Sequence, residues 1–210
     1  MFEAFYEKLE DLSIVPVIVL EEASQAAPLA EALCRGGMPS AEVTFRTDAA
    51  AEAIRIMRQT CPEMCVGAGT VLTTEQAEQA IRAGASFVVS PGFDAGVVRY
   101  CIERDVPVLP GTVTPSEVTA ARALGLTVTK FFPAEQYGGL SAIKALAAPF
   151  VGHRFMPTGG VGPANVAEYL ACPSVIACGG TWMVKSGMFA EGDCSAVERA
   201  ATEAMSLVRR

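Results

Sequence analysis

Lys130 sits in Leu126-Thr127-Val128-Thr129-Lys130-Phe131-Phe132-Pro133, a β-branched and aromatic run that otherwise reads as a buried strand. A lysine there must reach water, pair with an acid, or shed its proton. Without its proton it is a nucleophilic amine, able to form a Schiff base with a ketone. On this segment alone, an ammonium that snorkels to the strand end and is merely solvated fits as well. An acid and a second cation come from another segment, Glu42-Val43-Thr44-Phe45-Arg46-Thr47. Glu42, Thr44 and Arg46 alternate, so on a strand they face one side. If Lys130 shares that side, a proton-carrying carboxylate stands beside the amine. Each charge would be costly there alone and tolerable together, and a purely structural Glu–Arg–Lys network would satisfy the same requirement. Their common place near strand ends favours chemistry.

Two glycine pairs suggest what else the site holds. Thr158-Gly159-Gly160-Val161-Gly162 follows one strand-like run and precedes a helix expected near Pro163-Ala164-Asn165. Gly179-Gly180-Thr181 follows the next run. Glycines let backbone N–H groups approach an anion, and a helix N-terminus adds a favourable dipole. A lone pair of glycines is often just a turn; two at consecutive strand ends suit a phosphate group.

The elements that must position these residues follow a strand–helix rhythm. Strand-like runs begin near Val15, Ala41, Cys65, Phe87, Pro107, Thr127, Arg154 and Val175, about every 20–27 residues. Eight such units predict an α/β fold, a single (β/α)8 TIM barrel, rather than an open doubly wound sheet, for which no GxGxxG follows the first strand. Residues 2–12 read as an extra N-terminal helix that could cover the N-terminal mouth. Thr73-Thr74-Glu75-Gln76 and Thr114-Pro115-Ser116-Glu117 have the pattern of capping boxes. Gly36-Gly37, Gly84 and Gly125 lie where helices should end. No linker divides the chain, so residues 1–210 are expected to form one domain. In such barrels chemistry gathers at the strand C-termini. Here those ends carry Glu42 to Thr47, Gly67 to Thr70, Ser90-Pro91-Gly92, Pro110-Gly111-Thr112, Lys130 to Pro133, Pro157 to Gly160 and Gly179 to Thr181.

Composition narrows the partners. The 210 residues are 51% hydrophobic and 19% charged, enough for a sizeable core. A net charge of −7 argues against nucleic acid or an acidic membrane surface as a partner, though not against a small phosphorylated ligand. Seven cysteines without a CxxC, and a single histidine, His153, give no usual zinc set, so no metal is expected. Free thiols suit a reducing cytoplasm. The acidic Met1 to Ser13 segment lacks a signal-peptide core, and the longest aliphatic run, Ile14 to Leu20, is too short to span a bilayer. A cytoplasmic protein is expected, with His153 structural.

Taken together the segments resemble the family of 2-keto-3-deoxy-6-phosphogluconate (KDPG) aldolases, which includes bifunctional 4-hydroxy-2-oxoglutarate (KHG) aldolases. The carriers are Glu42 to Thr47, Val66 to Leu72, Ser90-Pro91-Gly92, Lys130-Phe131-Phe132-Pro133-Ala134-Glu135, Pro157 to Val161, and Gly179-Gly180-Thr181-Trp182. The resemblance implies a class I aldolase, usually a homotrimer, with no metal or organic cofactor. It implies Lys130 as the Schiff-base lysine and Glu42 as the acid/base. Arg46 and Thr70 would hold the pyruvyl carboxylate, and Pro91 and Phe132 would line the pocket. Thr158, Gly159, Gly160 and Thr181 would surround the distal end of the substrate, the last three gripping phosphate. Thr181 stands where the family usually has serine, which keeps the hydroxyl and adds a methyl. Three rivals remain. An aldolase of the same family for the galactonate epimer usually lacks an arginine equivalent to Arg46. A sugar-phosphate isomerase or epimerase barrel would form no covalent intermediate. A metabolite-binding barrel would need Lys130 only as an anion contact.

Overall fold

The computed structural model describes residues 1–189 and 192–208. Eight strands occur among them: β1 (Ile14–Ile18), β2 (Ser40–Thr44), β3 (Cys65–Gly69), β4 (Val88–Val89), β5 (Val108–Leu109), β6 (Val128–Phe131), β7 (Arg154–Pro157) and β8 (Cys178–Gly180). All pairings are parallel. Six strands make one curled sheet in the order β5-β4-β3-β2-β1-β8, and β6 and β7 make a separate pair. Between the two ladders run single bridges, Gly111 with Lys130, Phe155 with Val175 and Thr158 with Gly179. Prolines account for part of that thinning. Pro107 and Pro110 flank the two-residue β5 and bring no N–H to a ladder. The last strand was expected near Val175; it starts at Cys178, and Val175 makes only its one bridge.

Alternation sorts the strand residues into two cores. Ile14, Ile18, Ala41, Val43, Val66, Ala68, Val88, Val108 and Phe155 face outward into the core shared with the helices. Val15, Cys65, Phe87, Val89, Leu109, Val128, Met156 and Ile176 form a second cluster on the inner face, near the strand N-termini. The extra helix α1 (Glu3–Leu12) completes that cluster with Tyr6 and Leu9, so it does cover this end of the sheet. On the inner face of β2 the polar series Ser40, Glu42, Thr44 begins instead. Ser40 Oγ and Thr44 Oγ1 donate to the Ile14 and Ile18 carbonyls of β1 at 3.1 and 2.9 Å, so these buried hydroxyls are satisfied locally.

The helices largely follow the sequence signals. Of the two boxes, that of α6 (Pro115–Ala123) is complete between Thr114 and Glu117. That of α4 (Thr74–Arg82) is half formed. Thr73 accepts from Gln76 N, but the Gln76 side chain takes Leu72 N, one residue further out. Gly37, Gly84 and Gly125 adopt positive φ just past helix ends. The helix expected near Pro163 starts only at Val166 and is short, α8 (Val166–Leu170), because Asn165 turns its side chain back to Gly162 N instead of capping it. No helix among the described residues is long and apolar enough to cross a membrane.

Candidate active site

Lys130 does not snorkel. It is 5% exposed, on the same face of β6 as the floor residue Val128, and its Nζ lies 3.0 Å from Glu42 Oε1. Glu42 is 0% exposed, and its Oε2 has no partner. The ring of Phe132 lies 5.1 Å from Nζ. A buried carboxylate with one oxygen spoken for and one free can hold or release a proton there. β3 makes the room. A Cβ on Gly69 would lie 2.3 Å from Glu42 Oε1, and one on Gly67 would lie 2.4 Å from the Phe87 ring. Gly69 therefore leaves the space that Glu42 fills, and Gly67 leaves the space of the Phe87 ring in the floor.

The amine opens onto a cavity of about 110 Å³. Its walls bring together Arg46, Lys130, Phe132, Thr158, Gly159, Gly160 and Thr181, with Val17, Val19, Val161 and Gly180. A second cavity of about 300 Å³ shares Val17, Val19 and Thr181 and adds Val184, Lys185 and Ser186. The sequence reading missed Val17 and Val19. Their signal is the alternation Val15, Val17, Val19, which puts them on the inner face above the floor. Arg46 lies just beyond β2, exposed, with Nε 3.4 Å from Thr70 Oγ1. Thr70 has φ 54°, a strained conformation for a β-branched residue, at the exit of β3; like Pro91 it is not among the residues lining either cavity, and it meets the site through Arg46. Thr158 is buried, and its Oγ1 has no partner. Pro91 lies elsewhere: it is half-buried past β4, its carbonyl 2.0 Å from where a Cβ on Gly111 would stand, and it is not among the residues lining either cavity.

Gly159 and Gly160 take consecutive positive φ values of 98° and 79°. Among the described residues nothing accepts from the amides of Gly159, Gly160 or Val161. Successive unpaired amides in such a turn make an anion-binding concavity. α8 has only five residues, so an anion at this place would meet the loop amides rather than a helix dipole.

Burial acts on several other reactive groups. It pushes the Cys101 thiol up to about 12 and raises Cys65 and Cys178 too, which disfavours thiolate chemistry. His153 is pushed down to about 4, first by burial and then by Arg122, and its Nε2 lies 2.9 Å from Thr129 Oγ1. It serves packing and faces the outer core through Phe155. Among the described residues no group of three or more His, Cys, Asp or Glu is arranged to hold a metal.

The chain resembles known proteins along most of its length. The 2-dehydro-3-deoxy-phosphogluconate aldolase of Treponema pallidum is 49% identical over 203 residues, 97% of each chain. The crystal structure of the 2-keto-3-deoxy-6-phosphogluconate aldolase of Zymomonas mobilis with 3-phosphoglycerate is 40% identical. It superposes with a TM-score of 0.91 over 100% of this chain and 98% of that one. The KDPG aldolase of Legionella pneumophila, with pyruvate captured at low pH as a covalent carbinolamine intermediate, is 36% identical. Its TM-score is 0.87 over 90% of this chain and 92% of that one. The family model for KDPG and KHG aldolase matches residues 5–200. On these matches the chain belongs to the KDPG and KHG aldolase family.

Proposed function

We propose that this protein is a class I aldolase that cleaves 2-keto-3-deoxy-6-phosphogluconate to pyruvate and glyceraldehyde 3-phosphate, and 4-hydroxy-2-oxoglutarate to pyruvate and glyoxylate. The observation that carries the reading is the buried Lys130 amine, 3.0 Å from Glu42, opening onto a cavity walled by the Thr158–Gly160 loop. The neutral amine adds to the C2 ketone, giving a carbinolamine. Glu42 protonates the departing hydroxyl, water leaves, and an iminium forms. The Glu42 carboxylate then takes the proton of the C4 hydroxyl. The C3–C4 bond breaks, its electron pair flows into the iminium, and the aldehyde departs from a pyruvate enamine. Protonation at C3 and addition of water return pyruvate and free Lys130.

In this reading Arg46 and Thr70 bind the pyruvyl carboxylate, and Phe132 borders the ketone from the cavity wall; the place of Pro91 beside it is assigned by the family resemblance alone. Thr158, Gly159, Gly160 and Thr181 receive the distal end, with the free amides of the loop on the phosphate. The reaction requires no metal or organic cofactor. The eight strands form one closed (β/α)8 barrel in a single domain. The bridges on both sides of the β6–β7 pair, and an inner cluster drawing on both ladders, support that closure. By family resemblance the working unit is a homotrimer, and the seven free cysteines suit the cytoplasm. Light scattering tests the first of these assignments.

The reading is tested by treating the protein with pyruvate and sodium borohydride, followed by peptide mapping. One reduced pyruvyl adduct on Lys130 is expected. A folded protein without an adduct would end the Schiff-base reading and favour a non-covalent sugar-phosphate barrel. Comparing cleavage of the gluconate and galactonate epimers assigns the preference at C4.

A further inference from the structure

The anion-binding loop is held from outside by residues that never reach the cavity. Ala134 N donates to Thr158 O at 2.8 Å and Glu135 N to Gly159 O at 3.1 Å. Asn165 Nδ2 donates to Gly160 O at 3.2 Å, and Asn165 Oδ1 accepts from Gly162 N at 2.8 Å. With these carbonyls anchored, the amides of Gly159 and Gly160 stay unpaired on two residues that line the cavity.

Glu135 stands at the centre of this brace. Its Oε1 accepts from Tyr169 Oη of α8 and, at 3.5 Å, from Asn165 Nδ2. Its stem occupies the place where Gly160 has no side chain. A Cβ there would lie 2.3 Å from Glu135 Cγ and 2.6 Å from its Cβ. One side chain thus joins the exit of β6, five residues past Lys130, to α8 and to the loop of β7. A carboxylate so near an anion site opposes anion binding by its charge. The hydrogen bonds it accepts set the loop, and that gain acts in the opposite direction.

We infer that Glu135 is a positioning residue for the phosphate end of the substrate. Through Tyr169 and Asn165 it holds the amides of Gly159 and Gly160 in place relative to Lys130. The inference rests on the aldolase reading and adds to it a determinant of phosphate preference that contacts no substrate atom.

The test measures pyruvate release from 2-keto-3-deoxy-6-phosphogluconate and from its dephosphorylated form, and takes the ratio of the two kcat/KM values. In Glu135→Ala the brace is lost, and the ratio should fall about tenfold or more, with a matching rise in the inhibition constant of glycerol 3-phosphate. Glu135→Gln keeps the acceptor and removes the charge, so its ratio should stay at the wild-type value or rise. Tyr169→Phe removes only one donor and should lower the ratio severalfold; it stands in if Glu135→Ala fails to fold. An unchanged ratio in the alanine or phenylalanine variant overturns the inference. So does an equal fall in the glutamine variant, which would assign the effect to charge. Wild-type protein that forms no pyruvate from either substrate would instead overturn the aldolase reading.

Discussion

Gly69→Ala is the sharpest single perturbation of the Lys130–Glu42 pair, to which the proposed function assigns the chemistry. The added methyl would sit 2.3 Å from Glu42 Oε1, 2.6 Å from its Cγ and 2.8 Å from its Cδ. Ordinary contact between carbon atoms is about 3.5–4.0 Å, so the carboxylate must retreat by about 1 Å. It is fully buried and cannot swing into water. The retreat lengthens the 3.0 Å bond to Lys130. A displacement of about 1 Å of a reacting group typically lowers turnover on the order of 10²-fold. Overpacking should also lower stability by about 1–3 kcal/mol. Pyruvate release coupled to lactate dehydrogenase reads the first effect, and urea denaturation the second. Gly187→Ala is the control, since a methyl there meets nothing within 4 Å. Wild-type kcat/KM in Gly69→Ala would refute the argument that β3 is glycine-rich to seat Glu42.

Other expectations follow from the same geometry. Lys130→Met should give no borohydride adduct and lose about 3–5 kcal/mol, because Glu42 is left buried without its cation; adding Glu42→Leu should restore most of that loss in urea denaturation. Glu42→Gln should lower kcat by about 10²–10⁴-fold while changing pyruvate affinity far less, and stopped turnover with normal proton transfer in partial-reaction assays would contradict it. The urea midpoint should fall as pH drops from 6.5 toward about 4, since His153 is held neutral in the folded chain and the unfolded chain binds the proton first. That stability is fully present above pH 6.5, and His153→Asn should flatten this part of the profile. Thr114→Ala should cost about 1 kcal/mol by opening the capping box of α6, with no change in turnover.

Lys130 and Glu42 were legible because charge inside an apolar, alternating run has few physical explanations. Alternation put Glu42 and Thr44 on one side of their strand, and only the fold shows that this side is the inner one and that Lys130 shares it. Capping signals placed α6 for the same local reason. What escaped was set by packing across the fold. β4 and β5 shrink to two residues, and no periodicity announces that. Thr70 takes a left-handed φ that its residue type opposes, so only its surroundings hold it there. The role of Glu135 depends on Tyr169, 34 residues away. Pro91 belongs to the family pattern, yet its contact is with Gly111 rather than the cavity wall. The start of α8 moved because Asn165 found a better acceptor and donor in the preceding loop than at the helix end.

The inner face explains why the chemistry opens at one end only. Below the pair lies an apolar floor from Val15 to Ile176, closed by Tyr6 and Leu9 of α1. On the proposed reaction, water and substrate would therefore reach Lys130 from the strand C-termini, where the cavity lies. Above the floor, space comes from missing side chains more than from polar ones. A Cβ on Gly69 collides with Glu42, one on Gly179 would lie 2.2 Å from Thr158 Oγ1, and one on Gly160 collides with Glu135. Each of these glycines leaves room for a polar group of the site or of its brace. It follows that a single added methyl at these positions should harm turnover more than removal of a hydroxyl such as that of Thr181. Thr181 lies exposed at the rim, where water can replace a lost hydroxyl, whereas around Gly69 only the buried Glu42 side chain can give way, at the expense of its bond to Lys130. A comparison of Thr181→Ala with Gly69→Ala in the same pyruvate-release assay decides the point, and a larger loss in Thr181→Ala would show that hydroxyl contacts, not space, limit the reaction.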